Sequence, residues 1–111
     1  MRTAEEVLKG FTAFQPAERP FINIRKTTVT FSVSALEGLG EPKQIQMYTN
    51  GSLVAFQKVE KGTKMSTVNN RYCRFTNGNG EIDKLLEMSG GLEGRFYGRV
   101  EAGILIVDMA K

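Results

Sequence analysis

Apolar and polar residues follow two different periods between Phe21 and Val59, and this stretch predicts much of the fold. The runs FINIR and TTVTF are rich in β-branched and aromatic residues, which favour strands. In SVSALEGLG the apolar residues recur at helical spacing, which predicts a helix of about two turns. KQIQMY then alternates as a strand does, and LVAFQKV follows the dipeptide Asn50-Gly51, which is typical of a type I′ turn. We therefore expect a strand segment, a short helix and a β-hairpin over residues 43–59.

Local signals define both ends of the predicted helix. Ser34 and Glu37 have the spacing of a capping box, in which each side chain bonds to the other residue's backbone N–H. Gly40, followed by Pro42, predicts the end of the helix, because glycine adopts the left-handed conformation at a helix terminus and proline cannot continue a helix. A helix this short is stable only when it packs against another element.

The N-terminal stretch TAEEVLKGF predicts a second short helix, over residues 3–10. Its apolar side chains, Val7, Leu8 and Phe11, lie on one face of that helix. We expect this face to dock onto the sheet. Docking onto a second protein or subunit is the alternative.

The C-terminal part, residues 81–109, predicts a helix and another hairpin. EIDKLLEM is helical in composition and is followed by Ser-Gly-Gly, which ends a helix. Two extended runs, Phe96–Val100 and Ile104–Met109, are separated by a short glycine-containing turn. The run ILIVD is apolar on both faces of a strand, which predicts a position in the centre of a sheet or in a subunit contact.

These elements predict a single α+β domain over residues 1–111, with about six strands and two or three short helices. A small, mainly antiparallel β-barrel or sandwich is expected, because no helical pattern is long enough to connect parallel strands. At 111 residues the chain is able to bury one modest core. The candidate core residues are Phe31, Leu36, Leu39, Ile45, Met47, Phe56, Ile104 and Ile106.

The residue inventory argues against an enzyme. Without histidine, the most common general base near neutral pH and the Ser-His and Cys-His nucleophile systems are absent. The single Cys73 stands between aromatic residues and is expected to be a buried or half-buried hydrophobic residue. Asp108, at the end of an apolar run, is expected to end a strand and hydrogen-bond a turn. We therefore assign no catalytic residue.

No cofactor or metal site is predicted either. One cysteine without histidine excludes the usual zinc sites, and no EF-hand spacing occurs. The loop at residues 76–81 contains Gly78-Asn79-Gly80 but lacks the third glycine of a dinucleotide-binding fingerprint. No Walker pattern is present.

Positive charge is concentrated in the middle of the chain. Residues 58–74 contain five basic residues and one acidic residue, a formal charge of +4, whereas the whole chain carries +3. Such a stretch attracts phosphate backbones or acidic protein surfaces, and the interleaved Tyr72 and Phe75 could stack on bases. A mobile lysine-rich loop that keeps the protein soluble is the alternative. The basic residues are Lys58, Lys61, Lys64, Arg71 and Arg74.

The succession TTVTFSVSALEGLG, KQIQMY, Asn50-Gly51 and LVAFQKV resembles the AbrB/MazE class of swapped-hairpin β-barrels. This resemblance covers residues 21–59, about a third of the chain. It implies a homodimer, because each half-barrel of that class completes its core with its partner. It also implies DNA binding by basic residues on strands and loops, and in this chain Arg25 and Lys26 match the basic position that precedes the helix.

Three classes of function follow from these observations. The first is a small, non-enzymatic nucleic-acid-binding or regulatory protein that uses its basic residues. The second is a protein-binding module, such as a phage or mobile-element inhibitor of a nucleic-acid-handling enzyme. The third is a small-ligand or enzymatic barrel, which would show a deep polar pocket.

The chain is expected to be cytoplasmic and to have no contact with the membrane. No apolar run approaches the roughly 20 residues that span a bilayer, and the N-terminus has no apolar region typical of a signal peptide.

Overall fold

The computed structural model describes residues 2–12, 19–76 and 80–110. These residues form three helices and nine strands. In chain order the elements are α1 (Ala4–Leu8), β1 (Phe21–Ile24), β2 (Thr28–Phe31), α2 (Val33–Leu39), β3 (Gln44–Asn50), β4 (Leu53–Lys58), β5 (Thr63–Lys64), β6 (Ser66–Val68), β7 (Arg71–Thr76), α3 (Glu81–Met88), β8 (Gly94–Glu101) and β9 (Ile104–Asp108). Residues 77–79, half of the loop expected at 76–81, lie outside the described part.

The nine strands form one antiparallel sheet that curls into a nearly closed barrel. Their order is β5-β3-β4-β9-β8-β1-β2-β7-β6. The expected α+β class with a mainly antiparallel barrel is therefore confirmed. β9 lies between β4 and β8, the central position that its apolar sequence predicts. Three of the strands, β5, β6 and β7, lie in the basic segment, where the sequence did not predict them; residues 58–74 are therefore mostly sheet and not a mobile loop.

β8 connects the two halves of the sheet. Its first half, Gly94–Tyr97, pairs with β1, and its second half, Gly98–Glu101, pairs with β9. Gly98 stands where the strand leaves one neighbour and joins the other. A Cβ atom on Gly98 would lie 2.2 Å from the carbonyl oxygen of Ile106, so only glycine allows this close approach.

Three phenylalanine rings from three strands meet in the barrel interior. Phe31 of β2, Phe56 of β4 and Phe75 of β7 are 0–3% exposed. The ring of Phe31 meets that of Phe56 edge to face at 5.2 Å between centroids and that of Phe75 at 5.9 Å. These contacts join the two halves of the strand order across the interior. Phe75 is therefore a core residue and cannot stack on a base, contrary to one expectation from the sequence.

The prediction of which face of β9 is buried is wrong. Leu105 and Val107 are fully buried, whereas the expected core residues Ile104 and Ile106 are only half-buried on the other face. Four consecutive apolar residues are compatible with either phase, so only pairing with β4 and β8 decides which face is inside. Met47, another candidate, is partly buried against the core, and the remaining candidates are buried as expected.

The predicted cap of α2 is also wrong. Ser32, not Ser34, is the N-cap residue, and its hydroxyl accepts a hydrogen bond from the Ala35 N–H at 3.2 Å. The same hydroxyl accepts a second bond from the Phe21 N–H at 3.0 Å, so it ties β1 to the helix. The expected C-terminal end is confirmed, since Gly40 adopts the left-handed conformation with φ of 82°.

Replacing Ser32 with alanine should lower the free energy of unfolding by about 1–2 kcal/mol, because the backbone N–H groups of Ala35 and Phe21 both lose their acceptor. Ser34→Ala is the matched control, because among the described residues the Ser34 hydroxyl is hydrogen-bonded only to that of Ser32, at 3.3 Å. Urea unfolding of both variants measures the difference. Equal losses in the two variants would contradict the assignment of Ser32 as the cap.

The hairpin of β3 and β4 forms as predicted, but its turn differs. Asn50 pairs with Leu53, so Gly51 and Ser52 form the turn and only Gly51 has a positive φ, of 60°. This sign pattern is that of a type II′ turn rather than type I′. The turn between β8 and β9 has positive φ at both of its residues, the pattern of type I′.

The N-terminal helix does not dock onto the sheet. α1 buries none of its residues, and Val7, Leu8 and Phe11 are 51%, 60% and 76% exposed. The expected docking is therefore wrong. The helix has only five residues, so its apolar face offers little area, whereas the longer α2 and α3 each bury at least two side chains.

Candidate nucleic-acid interface

The basic residues predicted from the sequence lie on different elements and differ in whether their charge is engaged. Lys61 and Lys64 are exposed near the β5 edge of the sheet. Arg25 and Lys26 are exposed in the turn between β1 and β2. The Nζ of Lys58 donates a hydrogen bond to the Gly40 carbonyl at 3.1 Å, so this cation caps the C-terminal end of α2. Proximity along the chain therefore does not make all of these cations equally available to a ligand.

Arg71 belongs to the seam where the barrel nearly closes. β5 and β6, the two ends of the strand order, are separated in the chain by Met65 alone. Across this seam Arg71 forms an ion pair with Glu41, and Lys43 lies 5.8 Å from the centre of the Tyr72 ring. The charge of Arg71 is thus largely offset, and the residue serves the closure of the barrel.

A different set of residues forms a continuous row across the outer face of the sheet. Arg95 of β8 pairs with Asn23 of β1, which also pairs with Thr30 of β2, which in turn pairs with Arg74 of β7. Residues that pair in an antiparallel sheet point to the same face. Arg74 and Arg95 are exposed, whereas Val29, beside this row on β2, is fully buried and points inward. We call these four residues the outer row.

The two arginines of the outer row are separated by three strand spacings, roughly 14 Å. Within the described residues, no carboxylate lies within ion-pair distance of Arg74 or Arg95. Asn23 and Thr30, which lie between them, contribute an amide and a hydroxyl, both of which are able to donate hydrogen bonds. The outer row therefore presents two uncompensated cations at the ends of a line of polar donors.

Two aromatic rings lie next to the outer row on the same face. Phe21 of β1 pairs with Tyr97 of β8, and their ring centres are 5.5 Å apart. The guanidinium of Arg95 lies 4.5 Å from the centre of the Phe21 ring, and that of Arg19 lies 4.9 Å from the centre of the Tyr97 ring. Each ring therefore has a cation held over it by a cation–π contact.

A surface groove of about 720 Å³ opens beside these rings. Its volume falls in the range of small-molecule sites, but it is an open groove on the sheet surface. Its lining combines aromatic, hydroxyl and cationic groups. The lining residues are Arg19, Phe21, Phe31, Ser32, Val33, Ser34 and Tyr97.

Of the nucleic-acid contacts expected from the sequence, only Arg74 belongs to this face; Arg19, Phe21, Arg95 and Tyr97 were missed. A local signal for two of them does exist. In GRFYGR, Arg95 and Tyr97 are two residues apart, so both point to one face if the predicted strand, Phe96–Val100, is extended by one residue. Their meeting with β1 and β7 depends on strand register, which no local pattern contains.

Asp108 and Cys73 both have the structural surroundings expected from the sequence. Asp108 ends β9, and its side chain accepts a hydrogen bond from the Ala110 N–H at 2.9 Å, as expected for a structural residue. Cys73 is half-buried and packs against the core.

Among residues 2–12, 19–76 and 80–110, no group of three or more Cys, Asp or Glu side chains is arranged to hold a metal ion. In the same ranges, no helix has both the length and the apolar character needed to cross a bilayer.

No protein-family model, curated protein or solved structure matches this chain.

Proposed function

We propose that this protein is a small, non-enzymatic nucleic-acid-binding protein with a regulatory role, and that it binds a phosphate backbone along the outer row. The observation that carries the proposal is the alignment of Arg74 and Arg95 on one sheet face, with no described carboxylate to compensate either charge. Arginine suits this role because its planar guanidinium offers several N–H donors to phosphate oxygens.

The polar residues between the arginines extend the contact. Asn23 and Thr30 are half-buried, so their side chains are held by neighbouring strands while their polar ends face outward. Side chains of this kind commonly donate to phosphate and sugar oxygens and position the protein on the nucleic acid without reading its sequence. The proposed binding is therefore of low sequence specificity and depends strongly on salt.

The double variant Arg74→Gln, Arg95→Gln tests the proposal directly. Binding to a labelled mixed-sequence oligonucleotide should weaken, and the slope of log K against log salt should become shallower by about 1.4 for a single strand or 1.8 for a duplex. Fluorescence anisotropy at several salt concentrations measures both quantities.

The matched control is Lys61→Gln, Lys84→Gln, which removes the same charge from exposed residues in the loop before β5 and on α3. Its salt slope should stay close to that of the unmodified protein. Equal slopes in the two double variants would reject the outer row as the site. Indifference of the unmodified protein to every nucleic acid at low salt would reject the proposed function itself.

One observation favours a second candidate, a protein-binding module such as a phage or mobile-element inhibitor of a nucleic-acid-handling enzyme. Val7 and Leu8 of α1, and Phe11 three residues beyond it, are exposed, and exposed apolar side chains that lie together are typical of surfaces that bind other proteins. Co-purification with a larger partner, together with indifference to nucleic acid, would favour this candidate over the first.

Homodimerisation and a cytoplasmic location complete the proposal. The dimer rests on the resemblance of residues 21–59 to swapped-hairpin barrels. Light scattering during size-exclusion chromatography gives the mass in solution, and a monomeric mass at all protein concentrations would reject the dimer without affecting the outer row.

A further inference from the structure

We infer that the nucleic acid bound at this face is single-stranded and that the groove beside Phe21 and Tyr97 holds an unpaired base. This inference rests on the proposed function and adds the class of ligand. The proposed function requires only phosphate contacts, which single strands and duplexes both offer. The aromatic groove is what distinguishes between them.

The groove offers a stacking surface. Tyr97 is 44% exposed, and its ring lies against that of Phe21 at an interplanar angle of 60°. The two rings therefore form a corner rather than a flat platform. A flat base can lie in this corner against the exposed part of the Tyr97 ring, and Val33, which also lines the groove and is 49% exposed, adds apolar contact.

The cations at the groove are placed to contact the backbone that flanks such a base. Arg95 holds its guanidinium 4.5 Å from the centre of the Phe21 ring, and Arg19 holds its guanidinium 4.9 Å from that of the Tyr97 ring. A guanidinium has five N–H donors, so a ring contact leaves donors that can bind phosphate oxygens. Arg95 of the outer row contacts the ring of Phe21, which lines the groove, so one continuous ligand can occupy the two.

The spacing along the strands supports a single ligand. Phe21 precedes Asn23 by two residues on β1, and Tyr97 follows Arg95 by two residues on β8. Two residues of a strand span roughly 7 Å, so the groove and the outer row are adjacent lines on the same face. A backbone that follows the outer row therefore passes beside the groove.

A duplex cannot use this arrangement. In a double helix the faces of the bases are covered by their stacked neighbours, and only base edges are accessible in the grooves. Proteins that bind single strands combine a cationic track with exposed aromatic side chains on which unpaired bases stack. The outer face carries both features, and the stacking feature has no role with a duplex.

The first test uses the unmodified protein and three ligands of equal length: a mixed-sequence DNA strand, its duplex, and the same strand with abasic sites at alternate positions. We expect the strand to bind about tenfold more tightly than the duplex at matched salt. The abasic strand keeps its phosphates but offers fewer bases, so its affinity should fall by roughly 5- to 150-fold, the range found for loss of one stacked base.

The second test uses Tyr97→Leu, which keeps an apolar side chain but removes the ring. Its affinity for the strand should fall at least about fivefold while its salt slope stays unchanged, because stacking releases no counterions. Tyr48→Leu is the matched control, since Tyr48 is similarly exposed, at 49%, and lies on β3 away from the groove. Thermal unfolding of both variants verifies that they are folded.

The outcomes separate this inference from the proposed function. If the duplex binds as tightly as the strand, or if the abasic strand binds as tightly as the complete one, the inference is overturned while the nucleic-acid function stands. Equal affinities of Tyr97→Leu and Tyr48→Leu for the strand overturn the assignment of the groove. If no nucleic acid binds, both proposals fail together.

Discussion

Replacing Phe56 with alanine should lower the free energy of unfolding by about 3–5 kcal/mol, the largest effect that we expect from a single substitution in this protein. Phe56 is fully buried, and its ring contacts Phe31 at 5.2 Å and Phe75 at 6.4 Å between centroids. Removal of the ring leaves a cavity between three strands that come from both halves of the strand order. Such a loss is a large share of the roughly 5–15 kcal/mol that stabilises a typical domain.

Denaturation by urea, followed by circular dichroism, measures this effect. Phe56→Leu should cost distinctly less than Phe56→Ala, because leucine fills most of the cavity. Tyr48→Ala is the surface control on the same hairpin, and its effect should stay within about 0.5 kcal/mol. A loss for Phe56→Ala as small as that for Tyr48→Ala would mean that the aromatic cluster does not hold the barrel together.

Gly98→Ala should lower the free energy of unfolding by about 3 kcal/mol, although the change adds a single methyl group. The new Cβ would lie 2.2 Å from the Ile106 carbonyl oxygen and 2.8 Å from a methyl group of Val107. The Ile106 carbonyl belongs to a hydrogen-bonded strand, so it cannot move aside without separating β9 from β8 at the point where β8 passes from β1 to β9. We therefore expect a cost well above that of an ordinary surface substitution.

Gly103→Ala separates this clash from backbone strain. Gly103 has a φ of 77°, which an L-residue adopts at a cost of about 1–2 kcal/mol, but a Cβ atom on Gly103 would meet no atom beyond its chain neighbours within 4 Å. In thermal unfolding, Gly98→Ala should therefore have a lower midpoint temperature than Gly103→Ala. The reverse order would show that β8 and β9 adapt to a side chain at position 98.

The local elements that the sequence predicted well are those in which neighbouring residues supply the reason. α3, the hairpin of β3 and β4, and the left-handed Gly40 follow from periodicity and from turn residues that act within a few positions. The cap of α2 was misplaced by two residues because Ser32 and Ser34 are both able to accept from the first turn. The choice of Ser32 also satisfies the Phe21 N–H, which lies eleven residues away.

The short strands β5 and β6 were not predicted because their residues carry no apolar alternation. β5 has two residues and β6 has three, and all three residues of β6 are exposed. Their backbone groups form strands because β3 and β7 offer partners at the right distance. Such pairing depends on strands that are distant in the sequence or brought into register by the fold, so it cannot be predicted from a few neighbouring residues.

By itself, the sequence determined the α+β class and the antiparallel hairpins, since each depends on composition or on residues close in the chain. Only the tertiary structure decided which basic residues share a surface. Strand register brought Arg95, Asn23, Thr30 and Arg74 into one row. In contrast, Arg71 forms an ion pair across the seam, and Lys58 caps the end of α2. The physical reason is that register is set by burial of the opposite face of each strand, so the outer face is a consequence of core packing across the whole barrel.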